Sequence, residues 1–225
     1  MSKKSKLSAV RAEPKPEIEA FYYFPSSVYV AKKPEFLEVV SEVSEEALKR
    51  ITHDVHELYP MHNTDNYAND PRLIDFCTCL WQSGWSILQG QGYDMNTFDV
   101  MVDAAWTQEH YKHSLMEQHV HGGGSQLVGF YFLETPENCS RAMFHDPRGG
   151  KVQINLPEAN MSNATPASNT INFAPEPGML IISNAWLPHS FGRHGSEKPI
   201  KFVHFNLSVR YAAPQTCAAP AAEVI

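Results

Sequence analysis

Hydrophobic spacing divides the chain at about residue 98. Before that point two segments carry apolar residues at helical intervals. Phe36, Val39, Val40, Val43 and Leu48 share one helical stripe, with Pro34 in the first turn and Lys49 and Arg50 at the end. A helix is therefore predicted over about 34–51. A second is predicted over about 71–88, where the run FCTCLWQSGW supplies aromatic and cysteine side chains suited to deep packing. The polar stretch Met61–Asp70 between them reads as a loop. Ahead of both, Phe21–Val30 (FYYFPSSVYV) is rich in aromatic and β-branched residues and predicts a strand, which Pro25 confines to an edge or interrupts.

From Phe98 onward short apolar runs are broken by Gly, Pro, Asn and charge, the pattern of many short strands. The predicted strands are Val100–Gln108, Leu115–His121, Leu127–Glu134, Ala142–His145, Thr170–Phe173, Met179–Ser183, Ser190–Arg193 and Lys201–Tyr211. Two helices ahead of about eight strands predict a mainly β fold, in which the helices brace one face of a closed or nearly closed β-structure. One domain is expected over 19–211. Residues 1–18 lack any apolar period and read as a disordered tail, and 212–225 (AAPQTCAAPAAEVI) reads as an Ala/Pro-rich tail.

Composition narrows the function classes. At 225 residues, with 43% hydrophobic and 11% aromatic residues, the chain can bury the core of one domain. A net charge of −7 speaks against nucleic acid as a partner, because phosphate neutralisation needs a basic face. The one basic cluster, Lys3, Lys4, Lys6 and Arg11, sits in the polar N-terminal tail and reads as solvated. No apolar run approaches the ~20 residues that cross a bilayer. No apolar signal core follows the N-terminal lysines either, so no membrane partner and a cytoplasmic location are expected. The cysteines (Cys77, Cys79, Cys139, Cys217) read as reduced thiols, the first two in a buried helix.

Candidate chemistry lies in the histidines. His119-Val120-His121 puts two imidazoles two residues apart at a strand end, where a period of two points both rings to one face. Gly122, Gly123 and Gly124 follow and let the backbone turn away without crowding those rings. A third imidazole, His189, arrives after the turn at Pro177-Gly178, an apolar strand and the bend Trp186-Leu187-Pro188. Three neutral imidazoles suit iron, copper, nickel or zinc, and a facial set with open positions is what non-haem iron uses to bind cosubstrate and oxygen. Glu117 and Asp146 are nearby carboxylates, either ligands, supports of the ligands or plain surface acids. His53, His56, His62, His110, His113, His145 and His194 lack partner spacing and read as surface or supporting groups. Alternation in KFVHFNL turns His204 inward with Phe202 and Asn206.

These blocks resemble the 2-oxoglutarate/Fe(II)-dependent oxygenases of phages and bacteria. The resemblance rests on AAWTQEHYKHSLMEQHVHGGGSQLVGFYFLETPENCSRAMF followed by HDPR, and on FAPEPGMLIISNAWLPHSFGRHGSEKPIKFVHFNL. The family pattern runs H-x-H, S-G-V-Y-Y-L, D-P-R, W-L-P-H and a final F-N strand; FPSSVYV resembles its usual opening. With Phe21 to Leu207 largely covered in order, the resemblance implies a double-stranded β-helix, that is, a cupin-like jelly roll. It implies Fe(II) at His119, His121 and His189, 2-oxoglutarate as cosubstrate and O2 as oxidant. It further implies Tyr131, Arg148 and Lys201 as cofactor-binding residues, and a small-molecule or peptide substrate. A homo-oligomer is compatible with it, and a viral source would place the protein in host cytoplasm.

Two departures matter. The usual triad has a carboxylate where this chain has His121, which leaves the site one negative charge short. Family members also place an arginine six residues before the final asparagine, suited to a bidentate pair with the far carboxylate of 2-oxoglutarate. Here that position is Ile200, with Lys201 of opposite strand parity and Lys198 two residues earlier. Two other readings therefore stay open: a cupin-like three-histidine dioxygenase that needs no oxo acid, and an inactive binding module of the same fold.

Overall fold

A computed structural model describes residues 19–153 and 156–212, with the side chains of 152 and 153 left aside. The tail expected at 1–18, with its basic cluster, lies outside the described residues, as do 213–225 with Cys217. The elements in order are β1 (Val28–Lys32), α1 (Leu37–Leu48), β2 (Met61–Asn63), α2 (Ile74–Gly90), β3 (Phe98–His110), β4 (Met116–His119), β5 (Ser125–Glu134), β6 (Ala142–His145), β7 (Thr170–Phe173), β8 (Met179–Asn184), β9 (His189–Phe191) and β10 (Ile200–Tyr211). A single 3-10 turn leads into each helix, at Pro34–Phe36 and Pro71–Leu73, and another lies at Gly149–Gln153. The proline at the head of each helix has the fixed φ that a first turn requires.

The strands form two antiparallel sheets. The larger has the order β1-β8-β5-β10-β3-β2 and the smaller β4-β9-β6-β7. Strands β3 to β10 thus make two facing four-stranded layers, a double-stranded β-helix, and β1 and β2 extend the edges of the larger layer. Alternation along the long strands decides which layer each side chain serves. On β5 and β10, Phe130, Phe132, Ile200 and Phe202 pack between the sheets. Their neighbours Tyr131, Leu133, Val203 and Phe205 pack outward against helix residues such as Val40, Phe76 and Leu80. Gly129 is required where β5 crosses β10 and β8: a Cβ there would lie 2.3 Å from Phe205 Cζ and 2.4 Å from the Ile181 carbonyl oxygen.

Two expectations change. The strand predicted over Phe21–Val30 begins only at Val28, and the exposed aromatic run before Pro25 makes no ladder. Within the predicted loop, Met61–Asn63 pairs with the last residues of β3 as an edge strand. Three polar-flanked residues carry no periodic signal, so only the partner strand reveals it.

Candidate metal centre

The chain brings the three expected histidines to one point. β4 ends at His119, whose direct cross-strand partner is His189 at the start of β9. Two residues past β4, the His121 backbone N–H donates to the Ala185 carbonyl at 2.9 Å, pinning this turn to the bend that precedes His189. Gly123 and Gly124 hold φ of +65° and +92°, conformations that only glycine adopts freely, so the glycine run lets the chain leave the site at once. Ring centroids are 5.2 Å apart for His119–His121, 4.5 Å for His119–His189 and 5.2 Å for His121–His189. One ligand nitrogen from each lies within 4.8 Å of the others.

Backbone carbonyls orient two of the rings. His119 Nδ1–H donates to the Glu117 carbonyl at 2.8 Å, and His189 Nδ1–H donates to the Leu187 carbonyl at 3.0 Å. Those bonds fix the tautomer and leave the lone pair on Nε2. Nε2 of His121 and of His189 is buried and finds no hydrogen-bond partner among the described residues. A buried imidazole nitrogen without a partner costs free energy, and a bound cation would satisfy it. Burial is the main reason the His189 pKa falls to about 4, opposed by the Leu187 carbonyl and assisted by His119, His121 and His145. His121 is lowered too, by burial first and His119 second, with Asn206 acting in the other direction. For His121 and His189 the neutral form is thus favoured, the protonation state a divalent metal requires. The donor set fits a divalent transition metal bound on one face.

The carboxylate alternatives do not join this cluster. Asp146 accepts from the Arg148 guanidinium at 2.7 and 2.9 Å and pairs with Lys151, and these contacts hold it well below the usual carboxylate range. Glu117 contributes only its backbone carbonyl.

The three residues expected around a cosubstrate are not gathered here. Tyr131 has the parity of the helix-facing side of β5, packs on Phe76 and donates its hydroxyl to the Lys33 carbonyl at 2.7 Å. Lys201 points to the same outer side and pairs with Glu45 at 2.5 Å and Glu134 at 3.0 Å; burial opposes its charge, and those two carboxylates outweigh it. For these two the expectation is corrected, and strand parity is the reason. Arg148 lines a cleft of about 250 Å³ together with Tyr22–Pro25, His145 and Leu187, and none of the three histidines lines it.

The inward side of the centre carries residues the sequence only half disclosed. His204 is buried, as alternation predicts, and lies flat on Trp106 at 4.5 Å and 5.0 Å from His121. Burial holds it far below the usual imidazole range, with the other histidines acting in the same direction. His110, read from the sequence as a surface or supporting group, is fully buried at the end of β3, and burial is the main cause of its fall to about 4. His194 is buried as well and donates from Nε2 to the Lys198 carbonyl at 2.8 Å. Both ring nitrogens of His110 and His204, with Gln108 Oε1 and Asn206 Oδ1, are buried without partners. Period-two spacing places Asn206 with His204 from the sequence alone; nothing local marks His110, whose enclosure comes from strands distant in sequence.

A double-stranded β-helix with a histidine cluster at the meeting of its second and seventh strands defines a class, the non-haem metal oxygenases and their cupin-like kin. Residues 104–206, the segment that holds all three histidines, match the family described as "Putative 2OG-Fe(II) oxygenase". No curated protein matches the sequence. Solved structures similar to the chain include the non-haem α-ketoglutarate-dependent carbocyclase SnoK from nogalamycin biosynthesis (TM-score 0.59, 11% identity, 83% of this chain and 82% of that one). Another is AviO1 of Streptomyces viridochromogenes (TM-score 0.57, 12%, 87% and 93%). A third is a prolyl-4-hydroxylase of Pseudomonas putida (TM-score 0.56, 8%, 80% and 92%). At such identities the likeness concerns the fold. Among the described residues no helix is long and apolar enough to cross a membrane.

Proposed function

We propose that the protein is an Fe(II)- and 2-oxo-acid-dependent dioxygenase that performs a hydroxylation-type oxidation of a small-molecule or peptide substrate. His119, His121 and His189 hold the metal. The observation that carries this reading is the convergence of three imidazole nitrogens within 4.8 Å, two of them buried with no other partner. Bound iron, with 2-oxoglutarate as the family's electron donor, supplies the oxidation of an unactivated C–H bond by O2.

The chain's own residues do the rest. The Glu117 and Leu187 carbonyls hold two ligands in one tautomer, the Trp106–His204 stack and Phe130 shield the inner side from water, and the Arg148 cleft gives a substrate its approach. Anaerobic loading with Fe(II) and labelled 2-oxoglutarate, followed by oxygen, tests the proposal. Succinate and CO2 are expected even without substrate, and their complete absence contradicts it. Buried Ile200 favours one alternative, a three-histidine dioxygenase without an oxo acid. Oxygen consumption that ignores 2-oxoglutarate would establish that alternative.

A further inference from the structure

The wall behind the three histidines is built from rings. Phe202 of β10 lies parallel to Phe191 of β9 at 4.5 Å and 1°, and Phe130 meets both edge-on at 5.8 and 5.0 Å. Phe132 packs on the same pair at 5.6 and 6.2 Å. Beyond them is Ile200, with no exposed surface. The inward positions of β10 thus read Ile200, Phe202, His204 and Asn206, with no cation. The neighbouring Lys201 faces the other way and is paired with glutamates.

An acid held through a metal on these histidines with its chain directed inward would set its far end against this wall. A far carboxylate there meets aromatic and aliphatic carbon and loses its hydration with no opposite charge to replace it. Among the described residues, the buried side chains with unpartnered atoms include His110, which packs on Phe191 and Phe202, and His204, which packs on Phe130, with Gln108, Ser114 and Ser140 also unpartnered. As neutral groups they can donate a hydrogen bond without neutralising a charge, and His110 resists protonation because burial holds its pKa near 4. A methyl or methylene end gains from the same contact by leaving water.

We propose that this centre takes 2-oxo acids with an uncharged far end at least as readily as 2-oxoglutarate, so that its cosubstrate class extends to the monocarboxylic 2-oxo acids. The inference rests on the oxo-acid reading above and narrows it.

The test compares two acids of equal chain length on the full-length Fe(II)-loaded protein without oxygen. 2-Oxopentanoate and 2-oxoglutarate are titrated against the visible absorption of the Fe(II)–oxo acid chelate, with calorimetry as a second readout. Dissociation constants within threefold of one another, or in favour of 2-oxopentanoate, are the expected result. A preference for 2-oxoglutarate above threefold overturns the inference and leaves the oxo-acid reading intact. Binding of Fe(II) with no chelate for either acid overturns both.

Discussion

The two faces of the larger sheet use polar residues in opposite ways. On the helix side, polar groups close on one another: the Tyr67 hydroxyl and Thr107 Oγ1 are 2.7 Å apart, Thr107 donates to Ser44 at 2.7 Å, and Lys201 ties Glu45 to Glu134. On the cavity side, the same strands present His110, Gln108, His204 and Asn206 with atoms left unpartnered, next to the orphaned nitrogens of His121 and His189. Ser44 and Thr107 are as buried as His110 and His204, so for these residues satisfaction, not burial, separates the two sides. Paired polar groups specify a fold, whereas a row of buried unpaired ones is tolerated only where something else binds.

Removing a ligand should have the largest effect. His189→Ala is expected to lower Fe(II) affinity by about a hundredfold or more and to abolish the chelate absorption, since two imidazoles cannot define a facial site. Metal analysis after desalting reads the first, and anaerobic titration the second. Unchanged 1:1 metal binding in this variant would erase the distinction between the two faces.

Next in size is Gly129→Ala, which no side-chain rotation can relieve because one clash is with the Ile181 backbone. A loss of about 3 kcal/mol is expected in denaturant unfolding. Thr107→Val tests the helix-side network: it strands the Tyr67 and Ser44 hydroxyls and should cost about 2 kcal/mol while leaving metal affinity unchanged. An altered metal affinity would show that the two faces are not independent.

The smallest effect is in the pH dependence of the metal-free protein. His110 has its folded pKa lowered from 6.5 to about 4, so between those values the unfolded chain takes up a proton that the folded chain refuses. Its contribution is complete above pH 6.5 and is lost as pH falls toward 4, and His189 acts with the same sign. His110→Phe should reduce the slope of stability against pH in that window by at most about 1.4 kcal/mol per pH unit. An unchanged slope means that His110 is not neutral and enclosed.

Much of this was legible beforehand, for identifiable reasons. Most of strands β3 to β10 announce themselves as short apolar runs bounded by turn residues, and observed ends such as Ala142–His145 and Thr170–Phe173 coincide with those predicted. The triad was legible because two of its members sit two residues apart and a glycine run follows. Lys201 shows where pattern was overruled: a charge one residue from the family's arginine position invites a functional role, but parity turns it outward to three glutamates. The enclosure of His110 was illegible, because its walls come from Phe191 of β9 and Phe202 of β10, distant in sequence. Met61–Asn63 was missed for the same reason.

X-ray absorption at the iron edge of the anaerobic Fe(II)-loaded protein tests the central claim most directly. The multiple-scattering signature of three imidazoles around one iron is predicted, falling to two in His119→Ala. An iron environment with one imidazole or none, or a spectrum that His119→Ala leaves unchanged, would contradict the assignment of this histidine cluster as the metal centre.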